Sequence, residues 1–389
     1  VNSASSSEPK VYPAGGTAIR LPVSRALVFI RKESFFFIVL AVTVILSFFS
    51  MPHVSAIHWN VIATLFALML VCSAFTECRL LDWIAVRALG TFQTPRKLGL
   101  AMIAATGALA MVVTNDVALL TVVPLTLIMA KMSGKDPFLL IILETLSANL
   151  FSALTPFGNP QNLYLYDYYG IPAGEFFRMM LPFGLAGAAL LVAVNGLFNK
   201  GDVYKTKQKK PDFQNGKLLF GATAAFLLII LSVLRVADYR IALAATLLIF
   251  FVLARRMFIK VDYFLLGTFI LFFLFTDSLI GIEAVRDGFV RFLAGNGTVV
   301  LVAAGVSQLI SNVPAAVLLS GFTGDYRELL YGVSVGGLGT LVASLASLIS
   351  YKLYAREYAP GIYFRRFTLL NASLLIVLAA GCWLLVRMT

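Results

Sequence analysis

The residues with chemistry to offer lie inside apolar sequence. Thr114-Asn115-Asp116 interrupts the apolar stretch 98–131, and Ser311-Asn312-Val313-Pro314 interrupts 298–322. Residues 155–162, Thr-Pro-Phe-Gly-Asn-Pro-Gln-Asn, interrupt 138–166. Amides and hydroxyls carry both donors and acceptors. Their N–H and O–H groups suit a small anion, and their oxygens suit a cation. Asp116 adds a carboxylate, which can ligate a hard cation such as Na⁺ or carry a proton. Aspartate also caps helices, and here the helix would begin at Val117. Glu144 is a second carboxylate in an apolar run. It is a candidate for ion or proton coupling, or a partner for Lys131 or Lys135 near the membrane surface. His53 and His58 bring no metal-ligand spacing, so no transition-metal site is expected.

The elements that position these groups must cross a bilayer. Apolar residues make up 60% of the chain and charged residues 13%, far from a soluble domain. The chain reads as an all-α polytopic membrane protein. Proline removes a helix donor and clashes with the preceding turn, so the helix at 155–162 must break at membrane depth. Unwound backbone is tolerated there only when protein or a cavity surrounds it. The interruptions at 114–116 and 311–314 leave halves that look too short to span, and both read as re-entrant hairpins. Crossings are expected at 33–50, 59–77, 138–166 (broken), 176–198, 217–236, 241–253, 263–280, 329–354 (broken) and 362–386. The segments 80–89 and 282–293 are amphipathic arms. Tyr164, Tyr166, Tyr168 and Tyr169 read as an interfacial belt. Cys72, Cys78 and Cys382 fall in or beside apolar runs and suggest no disulfides.

Charge tests this map. With the N-terminus inside and both hairpins returning to their own side, 24 of the 31 Lys and Arg residues fall on cytoplasmic segments and seven outside. The net charge of +12 is therefore a positive-inside signature and not a nucleic-acid footprint. The C-terminus is then external. Residues 1–16 read as a disordered polar tail, not a cleavable signal.

The sequence also repeats. Phe75-Thr76-Glu77 returns as Phe275-Thr276-Asp277, Val86-Arg87 as Val285-Arg286 and Thr114-Asn115 as Ser311-Asn312. Leu150-Phe151-Ser152 aligns with Leu338-Gly339-Thr340. An odd number of crossings separates the copies, so the repeats are inverted, each with a re-entrant hairpin and a broken helix. The second break is expected at 343–350, ASLASLIS, where Ser347 and Ser350 would supply oxygens. The resulting divisions are a cytoplasmic N-terminal tail and arm (1–32), a first repeat (33–199), a cytoplasmic linker (200–216), an extra span (217–238) and a second, inverted repeat (239–389). No Walker motif, catalytic triad or HExxH is present, which disfavours an ATP-driven pump or an intramembrane protease.

These motifs resemble the ArsB/NhaD and citrate/dicarboxylate branch of the ion transporter superfamily, which includes divalent anion:Na⁺ symporters. TNDVALLTVVP (114–124) is similar to its first hairpin tip, TPFGNPQNL (155–163) to its first broken helix and SNVPA (311–315) to its second tip. The resemblance implies a secondary active carrier and not an enzyme. Its substrate would be a small anion: a carboxylate such as citrate or a dicarboxylate, or an arsenite-like oxyanion. It would need no cofactor beyond Na⁺ or H⁺ as coupling ion, move by an elevator-like motion in the cell inner membrane, and form a homodimer. The alternative within the superfamily is a Na⁺/H⁺ antiporter exchanging at Asp116. The implied substrate residues are Thr114, Asn115, Ser311, Asn312 and Asn162. The implied cation residues are Asn115, Asp116, Thr155, Gly158, Asn159, Asn162, Ser347 and Ser350. ASLASLISYKL (343–353) departs from the Gly/Pro/Asn form of the first break.

The charge map makes a direct prediction. In a cysteine-free background, a single cysteine placed in 167–174 should react with an impermeant thiol reagent on intact cells. One placed in 205–210 should react only after permeabilisation. Labelling of 205–210 in intact cells would overturn the topology.

Overall fold

The computed structural model describes residues 33–89, 94–199 and 212–388. The N-terminal tail and arm, and most of the linker including 205–210, lie outside them. The described chain forms α1 (Ser34–Ser47), α2 (Trp59–Glu77), α3 (Leu80–Leu89), α4 (Pro95–Val112), α5 (Asn115–Ser133), α6 (Phe138–Ser152), α7 (Pro160–Tyr168), α8 (Ala173–Phe198) and α9 (Gly216–Val233). It continues as α10 (Tyr239–Leu253), α11 (Tyr263–Gly281), α12 (Glu283–Leu293), α13 (Thr298–Ile310), α14 (Asn312–Ser320), α15 (Tyr326–Gly336), α16 (Leu345–Ala355) and α17 (Pro360–Met388). Short 3₁₀ segments, Val54–Ala56 and Arg255–Lys260, precede α2 and α11. Among these helices α2, α5, α8, α9, α11 and α17 are long and apolar enough to cross a membrane singly. The starts follow local chemistry. Pro95 and Pro160 occupy first helical turns behind the capping residues Thr94 and Asn159. Asp262 and Asp325 cap α11 and α15.

Two groups of helices result. In the first, α1 packs on α11, α10 packs on α2, and α9 packs on both α2 and α10. Reciprocal clasps tie it together. Glu77, at the end of α2, meets Arg256 (2.5 Å) and Lys260 in the 3₁₀ segment before α11. Asp277, near the end of α11, accepts from the His53 backbone N–H (2.7 Å) in the loop before α2. The end of each helix thus meets the start of the other, so α2 and α11 run antiparallel. They are equivalent in the sequence repeat, and the repeats are therefore inverted. In the second group α4 packs on α6 and, equivalently, α13 packs on α15; α5 meets α16, α14 meets α7, and α17 closes against α6 and α15. The arm α3 runs from α2 to the first hairpin, and α12 runs from α11 to the second.

Contacts between distant segments join residues that the charge map puts on one face. Lys131 pairs with Glu357 at 2.6 Å, and Asn199 donates to Pro95 O at 2.8 Å. On the other face Arg235 donates to Tyr166 O and Gly170 O, both at 2.9 Å, and Tyr326 to Glu175 at 2.6 Å.

Several expectations need correction. The legs of the first hairpin are not short: α4 has 18 residues and α5 has 19. The hairpin is re-entrant because its tip stops beside the break of the α6–α7 crossing, which has helix on both sides of that depth. The second break lies at 337–344, six residues before the expected start. Gly339 takes φ +98 there, which side chains resist. Most of ASLASLIS is helical, because the Ser350 hydroxyl bonds Ser347 O (3.0 Å) within the helix and needs no break. Tyr164 and Tyr166 are buried, not belted at the interface. The Tyr164 hydroxyl meets Ser320 Oγ at 2.7 Å, and Tyr169 donates to Thr323 O at 2.8 Å, so these rings fix α7 to the second hairpin.

The foot of the second hairpin rests on a buried carboxylate. Glu328 Oε1 accepts from Gly297 N (2.6 Å) and Oε2 from Val299 N (3.0 Å) as α13 begins. Hydrogen bonds to a charged group contribute ~1.5–3 kcal/mol each. Glu328→Ala should therefore lower the thermal midpoint in detergent by several degrees, with Glu328→Gln intermediate. An unchanged midpoint for both would show that the carboxylate does not hold the hairpin.

Candidate functional site

Each hairpin turns on a strained residue. Thr114 and Ser311 are non-glycine residues with positive φ, +129 and +74, and nearly equal ψ, 152 and 154. Such conformations persist only where the surroundings enforce them. Here the turn aims the next backbone N–H out of its own hairpin. Asn115 N donates to Gly158 O (3.2 Å) in the first break, and Asn312 N donates to Ala343 O (3.0 Å) in the second. A second pair of bonds repeats the pattern: Thr155 Oγ1 to Met111 O at 2.8 Å, and Thr340 Oγ1 to Gln308 O at 3.2 Å. Tip and break are docked alike in both repeats.

Gly158 is required by that docking. A Cβ there would lie 2.3 Å from Ser152 O and 3.0 Å from Ala110 O. Asn159 caps α7 through Asn162 N (2.9 Å) and donates to Ser152 Oγ (3.2 Å). Asn162 Nδ2 reaches Ala153 O (2.9 Å) and Thr155 O (3.3 Å), and its buried Oδ1 has no partner among the described residues. Asn162 therefore holds the unwound backbone.

The two repeats meet at Asn149, which the sequence reading passed over. Its Oδ1 accepts from Asn115 Nδ2 (3.2 Å) and Ser344 Oγ (2.9 Å). Its Nδ2 donates to Ser347 Oγ (3.1 Å) and Gly337 O (3.4 Å). The signal was present: Asn149 precedes the 150–152 repeat match by one residue, and Gly337 holds the same place before 338–340. Asn312 fits beside Gly337, where a Cβ would stand 2.8 Å from its Nδ2.

The structure thus brings Asn115, Asn149, Ser344 and Ser347 together, with Thr114, Thr155, Gly158, Asn159 and Asn162 on one flank and Ser311 and Asn312 on the other. Four half-helices, α5, α7, α14 and α16, begin at these turns, and helix N-termini favour anions. Ser350 sits apart, against Tyr363 at 3.2 Å. Glu144 is also separate. It is wholly buried and bonded to Thr126 (2.5 Å), not to Lys131 or Lys135. Burial inside the helix group keeps its side chain from snorkelling to the membrane surface. Asp116 lies beside the cluster but caps nothing. The Asn115 side chain takes the Asp116 N–H (3.0 Å), and the Asp116 carboxylate makes no hydrogen bond or ion pair among the described residues. No group of three or more His, Cys, Asp or Glu residues that could hold a metal occurs among the described residues.

Asn149 has a checkable weight. Asn149→Ala leaves Asn115 Nδ2 without its acceptor, and an unsatisfied buried donor costs about 1–3 kcal/mol. Thermal unfolding in detergent should fall accordingly. Asn149→Asp, which keeps the acceptor but loses the donor to Ser347, should fall less if the Asn115 bond dominates. Equal stability of Asn149→Ala and wild type would deny the joint its role.

The sequence profile described as citrate transporter matches residues 25–323. The chain is 37% identical over 304 residues to the uncharacterized transporter MJ0456 of Methanocaldococcus jannaschii, covering 76% of this chain and 81% of the relative. It is 33% identical over 345 residues to the inner membrane protein YbiR of Escherichia coli, covering 86% and 90%. A shorter match of 23% over 146 residues joins it to the uncharacterized transporter Rv2685 of Mycobacterium tuberculosis, covering 37% and 33%. Paired hairpins, paired breaks and these matches over most of the length place the chain in the citrate transporter family, a family of membrane transporters and not of enzymes.

Proposed function

We propose that this transporter is a secondary active carrier of a small anion, coupled to Na⁺ or H⁺. The observation that carries this reading is the docking of Asn115 on the first break and of Asn312 on the second, with Asn149 joining the two repeats. It assembles neutral donors and helix N-termini, which suit an anion, beside unwound carbonyls, which suit a cation. Citrate and other carboxylates fit the family description, and an arsenite-like oxyanion fits the same donors. The α4–α8 and α13–α17 group is the moving transport unit. It slides against the scaffold of α1, α2 and α9–α11, with α3 and α12 as its tethers. The chain sits in the inner membrane as a homodimer, N-terminus in the cytoplasm and C-terminus outside. The charge balance supports the orientation.

A second reading, a Na⁺/H⁺ antiporter of the same superfamily, is favoured by one observation: the Asp116 carboxylate at the first tip lacks a partner among the described residues.

Purified protein in liposomes separates these. With Na⁺ and H⁺ gradients imposed one at a time, labelled citrate, a dicarboxylate or arsenite should accumulate. Asn115→Ala and Asn312→Ala should each weaken substrate affinity roughly tenfold to 150-fold, the equivalent of ~1.5–3 kcal/mol. Asp116→Asn should raise the cation concentration needed for half-maximal uptake. Na⁺-driven proton movement with no anion present, and no anion uptake, would replace the carrier reading with the antiporter.

A further inference from the structure

Glu144 is used by nothing described so far. It stands on α6, five residues before Asn149, with 0% of its surface exposed. Oε1 accepts from Thr126 Oγ1 at 2.5 Å, while Oε2 is buried with no partner among the described residues. No cation pairs with it among the described residues. On α5 it meets Thr126, and the lysine of that helix, Lys131, is paired with Glu357. On α17 the ionisable neighbour is Tyr363. Lys352 on α16, Arg96 and Lys97 on α4, and Arg178 on α8 are exposed. Glu328 on α15 is bound to Gly297 and Val299. A bare carboxylate so enclosed is strongly disfavoured. A bound proton removes the charge. It leaves Oε1 as the acceptor from Thr126 and places an O–H on Oε2, the oxygen that has no partner.

A polar chain on neighbouring helices leads from Tyr363 to the central cluster. Tyr363 OH lies 3.2 Å from Ser350 Oγ, which donates to Ser347 O (3.0 Å), and Ser347 Oγ accepts from Asn149 Nδ2 (3.1 Å). Residues of α6, α16 and α17, all in the proposed transport unit, make up the whole path.

We propose that Glu144 is a proton-binding site carried by the transport unit, on the same helix as Asn149. The assignment rests on the carrier reading for its role in coupling, but not for the protonation itself. Bound H⁺ would travel with the unit, and its release to one side would leave a charge on α6, five residues before Asn149.

Infrared difference spectroscopy of the purified protein in lipid tests the site without any substrate. At neutral pH the wild type should show the carbonyl band of a protonated carboxyl, which Glu144→Gln removes and Asp116→Asn keeps. Thr126→Val should shift that band to higher frequency, since it deletes the hydrogen bond to Oε1. This variant decides the matter if Glu144→Gln fails to fold. Absence of the band in wild type, its survival in Glu144→Gln, or its loss on adding Na⁺ at constant pH would each overturn the proposal. In liposomes loaded for citrate uptake, an acid-outside gradient should stimulate wild type severalfold and Glu144→Gln not at all. Equal stimulation of both would remove Glu144 from coupling. If the wild type moves none of citrate, a dicarboxylate and arsenite, the carrier reading fails on its own and the spectra still judge the site.

Discussion

The constraint on which everything else depends is the one a bilayer puts on backbone polar groups. Every N–H and C=O at membrane depth needs a partner, because lipid offers none. This chain breaks two helices and turns two hairpins at that depth, which frees many such groups. It satisfies them by docking each tip on a break. Asn115 N meets Gly158 O, and Asn312 N meets Ala343 O. The polar centre and the hairpin architecture are therefore one feature. A hairpin without its break, or a break without its hairpin, would leave buried groups unpaired.

That economy also explains the strain and the small residues. Thr114 and Ser311 hold positive φ because only that turn delivers the next N–H to the neighbouring carbonyl. Gly158 leaves room for the approach of Ser152 O and Ala110 O. Asn149 then spans the joint between the repeats, with two bonds accepted and two donated. An amide is suited to this place because it offers both kinds of group without charge.

The helices beneath the centre are stabilised differently on their two sides. Inside the α4–α8 and α13–α17 group, hydroxyl and amide bonds join helices whose remaining faces are apolar. In the other group, the clasps of Glu77 and Asp277 lie at the helix ends, where charge meets the surface and costs little to expose. Arg235 reaches across from that group to Tyr166 O and Gly170 O, and Cys72 and Thr276 donate across to Val113 O and Val317 O.

The sequence by itself determined the membrane class, both hairpin tips, the first break and the five crossings that form long apolar helices, α2, α8, α9, α11 and α17. Those follow from local causes: apolar run length, proline and glycine chemistry, and amides where lipid forbids them. The repeat in Phe75-Thr76-Glu77 and Phe275-Thr276-Asp277 also announced the inversion that the antiparallel α2 and α11 display. Only tertiary structure decided what no local rule encodes. Ser347 and Ser350 looked like break residues, yet serine is tolerated in a helix when its hydroxyl bonds a nearby carbonyl, and the break moved to Gly339. Tyr164 looked interfacial until α14 covered it. Asp116 read as a cation ligand, a proton carrier or the cap of a helix from Val117, yet the helix begins at Asn115 and takes Asp116 into its first turn. Asn149 gave little local signal, because its importance comes from residues nearly two hundred positions away. Pairing partners at that separation are set by how the inverted repeats pack, and hydropathy along the chain does not carry that information.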